Sequence, residues 1–251
     1  MTRAKPARAR RHSKPDAAPT RLTAIDALRG AAVCAMIAYH FAFDLNWFGV
    51  FRADFNHDLL WLTLRAMIVS SFMLLVGISL VLADKADLSS VRRWRRIAVI
   101  ALCALLVTAG SYVAFPRTFI TFGILHCIAL ASILAWPLVR YPFAALVAGM
   151  AIVAIGLQVR LPLFDAPWLN WIGLMTHKPA TEDYVPLFPW LGVVFIGIAI
   201  GAWLSGKAFQ PLQPVARVAP TWLPWLGRHS LIVYMVHQPV LLGIMRVAIP
   251  Q

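Results

Sequence analysis

Charged side chains are scarce in this chain, and acidic ones are the scarcest. Only 13% of the 251 residues are charged, with ten Asp and Glu against 23 Lys and Arg. A soluble chain of this length would need a charged exterior around its core. Apolar residues instead make up 61% of the chain, whereas soluble domains contain about 45–50%. The shortage of charge therefore excludes an ordinary soluble domain.

Cysteine is also rare, and its pattern indicates no specialised chemistry. Cys34, Cys103 and Cys127 are odd in number and lack the spacing of a metal site. All three fall within long apolar segments, so we interpret them as small packing residues. The chain also lacks an internal repeat and any sign of a second folded domain.

Long apolar stretches fill the space that charge leaves. Each is close to the 20 residues or so that cross about 30 Å of hydrocarbon at about 1.5 Å per residue. The sequence therefore predicts an all-α fold, a polytopic membrane helix bundle of about seven transmembrane helices. This domain occupies residues 23–251 and follows a disordered, basic tail at 1–22. The Pro-rich stretch 211–224 leaves an eighth span open. The predicted spans are 23–44, 59–83, 97–115, 119–139, 142–158, 187–205 and 228–249.

The positions of the basic residues predict the orientation. With seven spans, the segments on the side of the N-terminus hold seventeen of the 23 Lys and Arg residues, and the opposite segments hold five. Because positive charge is enriched in cytoplasmic loops, we expect a cytoplasmic N-terminus. The same asymmetry explains the net charge of +13 without a nucleic-acid partner. We expect the basic tail to contact anionic membrane lipids instead.

Four ionisable residues lie along one face of the first predicted span. Arg29 and His40 are eleven residues apart, which places them about 20° apart in rotation and about 16 Å apart along the helix axis. Asp26 lies one turn before Arg29, and Asp44 lies one turn after His40. Ionisable groups in hydrocarbon are costly and usually functional. The competing interpretation is an interfacial ion pair, Asp26 with Arg29, and a satisfied polar pair, His40 with Asp44.

Further polar residues are predicted at the depth of His40. His57 precedes the second span, Arg65 lies about two turns inside it, and His126 and His237 belong to the fourth and last spans. Their convergence in a small bundle indicates a site, although a single helical histidine is usually only packed and hydrogen-bonded. No pair of histidines has the i, i+4 spacing of metal ligands, so no metal is expected.

Several motifs resemble known membrane acyltransferases. The spacing of Arg29 and His40 is similar to the first helix of the O-antigen acetylase type. The closer resemblance is to bacterial members of the heparan-alpha-glucosaminide N-acetyltransferase catalytic family. It includes Asp183 in the segment DYVPLFPW and extends from residue 23 to residue 239. The motifs are IDALRG with the following Tyr39-His40 and Asp44-Leu45, Phe72 with VGIS, GILH, DYVPLFPW and GRHSL.

This resemblance implies acetyl transfer from cytoplasmic acetyl-CoA, across the membrane, to an amine or hydroxyl of a glycan or glycolipid acceptor. In the family, the active histidine lies in the outer loop before the second helix, a position that corresponds to His57. The family has Asn where His40 stands, so the two resemblances favour different histidines. We rank His40 ahead of His57, and a combined interpretation lets His57 meet the acceptor while His40 faces the thioester.

Each candidate has an expected role. A neutral imidazole held by a carboxylate can act as base or nucleophile, which assigns His40, His57 and Asp44 to catalysis. The oxyanion needs a cation or donor, and CoA phosphates need positive charge at the cytoplasmic face. We expect transition-state or acceptor contacts from Arg65, His126, His237 and Asp183, and cofactor contacts from Arg29, Asp26 and Arg93.

Two other classes of function stay open at this point. A proton-coupled small-molecule transporter would also use intramembrane His, Asp and Arg, although the chain shows no inverted repeat. A non-catalytic membrane assembly protein is the other. The expected location is the bacterial inner membrane, and a homodimer is left open.

Overall fold

The computed structural model describes residues 17–249, with side chains from residue 23 onward. Within this part the chain is helical and contains no strand. Most of the predicted tail therefore lies outside the described residues, and only its end enters the first helix. The nine described α-helices are α1 Ala17–Trp47, α2 Leu59–Lys85, α3 Ser90–Ala114, α4 Ile124–Ala135, α5 Pro142–Gln158, α6 Leu187–Gly206, α7 Gln213–Val218, α8 Trp222–Arg228 and α9 Ser230–Ala248.

Seven of these helices correspond to the seven predicted spans. Helices α1, α2, α3, α6 and α9 are long and apolar enough to cross a membrane, while α4 and α5 are shorter apolar helices. The predicted polytopic helical bundle is confirmed. Helices α7 and α8, by contrast, are too short to span, so the stretch 211–224 supplies no eighth crossing. They lie beside α1 instead.

Two predicted boundaries were wrong. The third helix begins at Ser90 and not at residue 97, because Ser89 accepts a hydrogen bond from the Arg92 backbone N–H and caps it. The fourth begins at Ile124 and not at residue 119. The residues before it form a connection in which the Ile120 N–H donates to Ser111 Oγ, at 2.9 Å. Helix starts with polar caps override the apolar pattern from which we predicted the spans.

Glycines allow the central helices to approach closely. Helix α6 lies between α2 and α5. A Cβ atom at Gly77 would collide with the Val194 carbonyl, and one at Gly192 would collide with the Gly149 carbonyl. Small residues at such crossings let backbones meet where lipid offers no hydrophobic driving force between helices. Helices α1 and α8 meet similarly, because a Cβ atom at Gly227 would overlap the Asp26 carbonyl.

The bundle has two chemically different ends. One end, which we call the loop end, contains the last residues of α1 and α3. It also contains three connections, at 48–58, 115–123 and 159–186. At the basic end, α1 begins and the arginine run 92–96 opens α3. The 48–58 loop is anchored by Phe55, which is 3% exposed and stacks on Trp61 with ring centroids 4.1 Å apart. This anchor positions the neighbouring residues Asp54 and His57.

Candidate functional site

Arg29 is held in a defined position at the basic end. Its Nη1 lies 2.9 Å from Asp26 Oδ1, as the spacing along α1 predicts. Its Nη2 donates to Ser79 Oγ on α2 at 3.0 Å, and Ser79 in turn donates to the Leu75 carbonyl. Ser79 ends the VGIS motif, but its contact with Arg29 was not predicted, because a contact between residues 50 positions apart leaves no local signal. The guanidinium therefore links α1 to α2.

Asp44 does not support His40 in the way we predicted. The Asp44 side chain is completely buried, and its Oδ1 accepts a hydrogen bond from Gln238 Nε2 on α9 at 2.8 Å. His40 instead donates its Nδ1–H to the Met36 carbonyl, at 2.9 Å. The prediction of a His40–Asp44 hydrogen bond was wrong, because an imidazole can bond to the carbonyl one turn earlier in its own helix while α9 supplies a donor to the carboxylate.

His40 lies against a second histidine. The rings of His40 and His237 meet edge to face, with centroids 4.9 Å apart. His237 also donates its Nδ1–H to a carbonyl of its own helix, that of Tyr234, at 2.6 Å. In both rings Nδ1 carries the proton, because a carbonyl can only accept. When the rings are neutral, each Nε2 is therefore a lone-pair acceptor.

The polar cluster between α1 and α9 contains buried atoms without partners. Asp44 Oδ2, His237 Nε2 and Gln238 Oε1 are buried and have no hydrogen-bond partner among the residues that the structure describes. All three are acceptors in this arrangement. Unpaired buried polar atoms are rare and costly, and they indicate a function. We call His40, Asp44, His237 and Gln238 the α1–α9 cluster.

The α1–α9 cluster is continuous with polar residues of the loop end. Asp183 Oδ2 accepts from Tyr234 at 3.4 Å, and Tyr234 is the residue whose carbonyl binds His237. Asp183 also accepts from the Ile124 N–H at 3.0 Å, which caps α4. The structure therefore links Asp183 to His237 through Tyr234, a residue that sequence reasoning had not assigned to the site.

Arg65 and Lys178 add positive charge at this end. Arg65 forms neither a hydrogen bond nor an ion pair with the described residues, and its charge acts on Tyr39 and Lys178. Burial lowers the pKa of Lys178, although part of its side chain stays accessible, and Arg65 acts in the same direction. Asp183 and Glu182 oppose this shift. An unpaired Arg65 is free to meet a developing negative charge.

His126 is fully engaged by the protein. Its Nδ1 accepts from the Gly123 N–H at 3.2 Å, and its Nε2 lies 3.2 Å from Thr108 Oγ1. Because the Thr108 hydroxyl donates to the Ile120 carbonyl, His126 must donate Nε2–H to it. Nδ1 thus caps the start of α4, and Nε2 joins α4 to α3. This arrangement leaves His126 no free nitrogen for the transition-state role that we expected.

His57 has the carboxylate partner that His40 lacks. Its Nδ1 lies 2.8 Å from Asp54 Oδ2 in the 48–58 loop. This hydrogen bond lowers the pKa of Asp54, and a hydrogen bond from the Asn56 N–H lowers it further. The His57 side chain is 85% exposed, so its Nε2 faces open space. A partner three residues away was visible in the sequence but was overlooked because the loop has no helical register.

Arg93 has a packing contact at the basic end. Its guanidinium carbon lies 3.6 Å from the centroid of the Trp136 ring, an arrangement typical of cation–π contacts. Its neighbours Arg92, Arg95 and Arg96 are exposed, and Arg96 interacts electrostatically with Arg29. These three arginines are more accessible to a ligand than Arg93.

A pocket of about 1000 Å³ opens at the loop end. Its walls come from the end of α1, the 48–58 and 115–123 connections and Glu182. It includes Asp54 but lies outside the α1–α9 cluster, although Glu182 interacts electrostatically with Asp44. Among the residues that the structure describes, no group of three or more His, Cys, Asp or Glu side chains could hold a metal ion.

These features define a class of protein: a multi-pass helical membrane protein with a buried histidine and a buried carboxylate between its spans. A family model described as "Heparan-alpha-glucosaminide N-acetyltransferase, catalytic" matches residues 21–239. The chain belongs to that family, which confirms the resemblance seen in its motifs and makes the protein a member of a membrane acetyltransferase family. No curated protein and no solved structure matches the chain.

Proposed function

We propose that this protein transfers an acetyl group from cytoplasmic acetyl-CoA to an amine or hydroxyl of a sugar-containing acceptor at the outer face of a bacterial inner membrane. The observation that carries the proposal is the contact of half-buried His40 with buried His237, whose Nε2 atoms are both left as acceptors when the rings are neutral. Within an acetyltransferase family, such nitrogens suit the removal of a proton from an acceptor.

The donor belongs at the basic end in this proposal. Arg29 is oriented by Asp26 and Ser79, and the exposed arginines of the 92–96 run lie at the same end. Guanidinium groups bind phosphate oxygens in a bidentate manner, as CoA requires. The positive-inside rule makes this end cytoplasmic. This orientation can be tested with a reporter that is active only in the cytoplasm. Activity of that reporter when it is fused after Pro179 would contradict the orientation.

The reaction uses few groups. His40 Nε2 removes a proton from the acceptor amine or hydroxyl, and the acceptor atom attacks the thioester carbonyl carbon. Arg65 stabilises the oxyanion that forms. When the C–S bond breaks, the CoA thiolate takes the proton from His40. The products are the acetylated acceptor and CoA thiol.

His57 receives a separate role. Because Asp54 holds Nδ1, the ring presents Nε2 at the loop end, where it can bind and orient the acceptor. The carboxylate support that we had assigned to His40 thus belongs to His57. We keep His40 as the base because it lies in the α1–α9 cluster, in ring contact with His237.

The test is CoA release from acetyl-CoA by protein purified in lipid nanodiscs, with acceptors identified by mass spectrometry of envelope glycans and lipids from cells with and without the protein. His40→Ala should reduce turnover by roughly 10²–10⁴-fold, while the exposed loop variant His177→Ala should match the wild type. Full activity in both His40→Ala and His57→Ala would refute the mechanism. A transporter or an assembly protein would release no CoA.

A further inference from the structure

The pocket at the loop end has walls from three separate parts of the chain. Asn46 and Trp47 come from the end of α1, residues 52–56 and 58 from the following loop, and residues 115–118 from the connection after α3. The loop wall is braced, because Asn46 Oδ1 accepts from the Ala53 N–H at 2.8 Å. The volume of the pocket, about 1000 Å³, is at the upper end of the range for small-molecule sites, about 300–1,000 Å³.

The carboxylates of the pocket already have partners. Asp54 accepts hydrogen bonds from His57 Nδ1 and from backbone N–H groups. Asp58 accepts from the Asp54 N–H, and Glu182 accepts from the Thr118 hydroxyl. These hydrogen bonds hold the three carboxylates against the walls of the pocket, although they leave the negative charges in place.

The two arginines of the pocket, unlike its carboxylates, have no partners within the described part of the chain. Arg52 and Arg117 both line it, both are exposed, and neither donates a hydrogen bond or forms an ion pair within the described part of the chain. Each guanidinium has five N–H donors in a fork that matches phosphate oxygens. The pocket therefore offers two guanidinium groups whose donors can bind an anionic group.

Apolar surface borders the same pocket. Trp47 and Phe115 line it and contact each other, with ring centroids 5.2 Å apart. Leu59 and Val113, next to the pocket in sequence, are 78% and 83% exposed. In a membrane protein, such exposed apolar residues face lipid. A soluble anion would use the arginines and leave this surface unused.

We infer that the pocket binds the phosphate of a membrane-anchored amphiphile. Arg52 and Arg117 contact the phosphate. The apolar part of the ligand lies along Trp47 and Phe115 and along the exposed apolar residues beside the pocket, Leu59 and Val113. One part of this inference rests on the proposed function, namely that the bound amphiphile is the lipid-linked acceptor of the acetyl group. Binding itself requires neither the donor nor acetyl transfer.

Three probes separate the parts of this inference. Dioleoyl phosphatidic acid has both phosphate and acyl chains, dioleoylglycerol has the same chains without phosphate, and glycerol 3-phosphate has phosphate without chains. Binding of each to detergent-purified protein is measured by native mass spectrometry. Arg52→Gln and Arg117→Gln are compared with Arg246→Gln, an exposed arginine outside the pocket, and thermal unfolding checks the fold of each variant.

We expect phosphatidic acid to bind best. Each pocket variant should weaken it roughly tenfold, as the loss of a charged hydrogen bond implies, and Arg52→Lys should recover part of the affinity. Arg246→Gln should bind as the wild type does. Unchanged affinity in Arg52→Gln and Arg117→Gln would overturn the site, and equal binding of glycerol 3-phosphate would overturn the amphiphile. If binding holds but no CoA is released, only the proposed function fails.

Discussion

His40 and His237 meet edge to face at 4.9 Å between α1 and α9, and each donates Nδ1–H to a carbonyl of its own helix. Their side chains are 197 residues apart in sequence but present their second nitrogens within one buried cluster. His237 is 8% exposed, and its Nε2 has no partner within the described part of the chain. A buried acceptor that is left unpaired costs stability, so its presence requires a reason in function.

His237→Phe tests that reason. The substitution keeps an aromatic ring for the contact with His40 and removes the unpaired Nε2. We expect thermal stability equal to or above that of the wild type, together with an acetyl transfer rate that falls about tenfold or more. The control is His229→Phe, because His229 also donates Nδ1–H to a carbonyl four residues earlier, that of Trp225 in α8, but lies at the basic end. Wild-type turnover in His237→Phe would remove His237 from the site.

Asp54→Ala tests the support of His57. Without the carboxylate, the imidazole loses its Nδ1 partner, and we expect a higher KM for the acceptor with little change in acetyl-CoA affinity. The hydrogen bond from His57 lowers the pKa of Asp54, so its contribution to stability is present above the ordinary carboxyl pKa and disappears as pH falls through the lowered value. Wild-type protein should therefore lose its stability advantage over Asp54→Ala in acid. An unaltered KM would count against the role of His57.

Arg65→Gln tests the electrostatics of the loop end. The charge of Arg65 helps burial to lower the pKa of Lys178, so its removal should raise that pKa towards the ordinary value. NMR titration of the lysine amine, assigned with Lys178→Arg, measures the change, and Arg246→Gln serves as the control. If Arg65 also stabilises the oxyanion, kcat should fall more than KM changes. A raised pKa with unchanged kcat would limit Arg65 to setting the local charge.

Arg29 should act on donor binding more than on the chemical step, because it lies about 16 Å along α1 from His40. Arg29→Ala should weaken acetyl-CoA affinity about tenfold or more, and Arg29→Lys should recover only part of the loss. Ser79→Ala removes the link to α2 while the charge stays, so it should have a smaller effect. Titration calorimetry measures all three, with Arg217→Ala as the control at the same end. Unchanged affinity in Arg29→Ala would exclude it from the donor site.

Gly77→Ala tests the helix packing. The added Cβ would collide with the Val194 carbonyl on α6, and overpacking of this kind costs about 1–3 kcal/mol. Gly110→Ala is the matched control, because a Cβ there meets nothing within 4 Å and Ala favours a helix over Gly by about 1 kcal/mol. Thermal unfolding should therefore shift in opposite directions in the two variants. A similar shift in both would argue against close packing of α2 and α6.

Much of the fold was predictable from the order of apolar and charged residues. Hydrocarbon accepts only segments that satisfy their own backbone hydrogen bonds, so a long apolar run in a polytopic chain has to be a helix. The stripe of Asp26, Arg29, His40 and Asp44 was predictable for the same reason, since the period of a helix determines which residues share a face. The Asp26–Arg29 ion pair followed directly from this period.

The partners of the buried groups were decided by the tertiary structure. Asp44 binds Gln238 and not its neighbour His40, and Arg29 reaches Ser79, because side chains on different helices meet only after the bundle has packed. His126, Thr108 and the start of α4 form a closed hydrogen-bond set that no spacing along the chain indicates. The order of residues along the chain thus determined which segments form membrane helices and which face of each helix carries the polar side chains. The donors and acceptors that meet there depended on how α1, α2 and α9 pack together, since a buried polar group takes the nearest complementary partner in space.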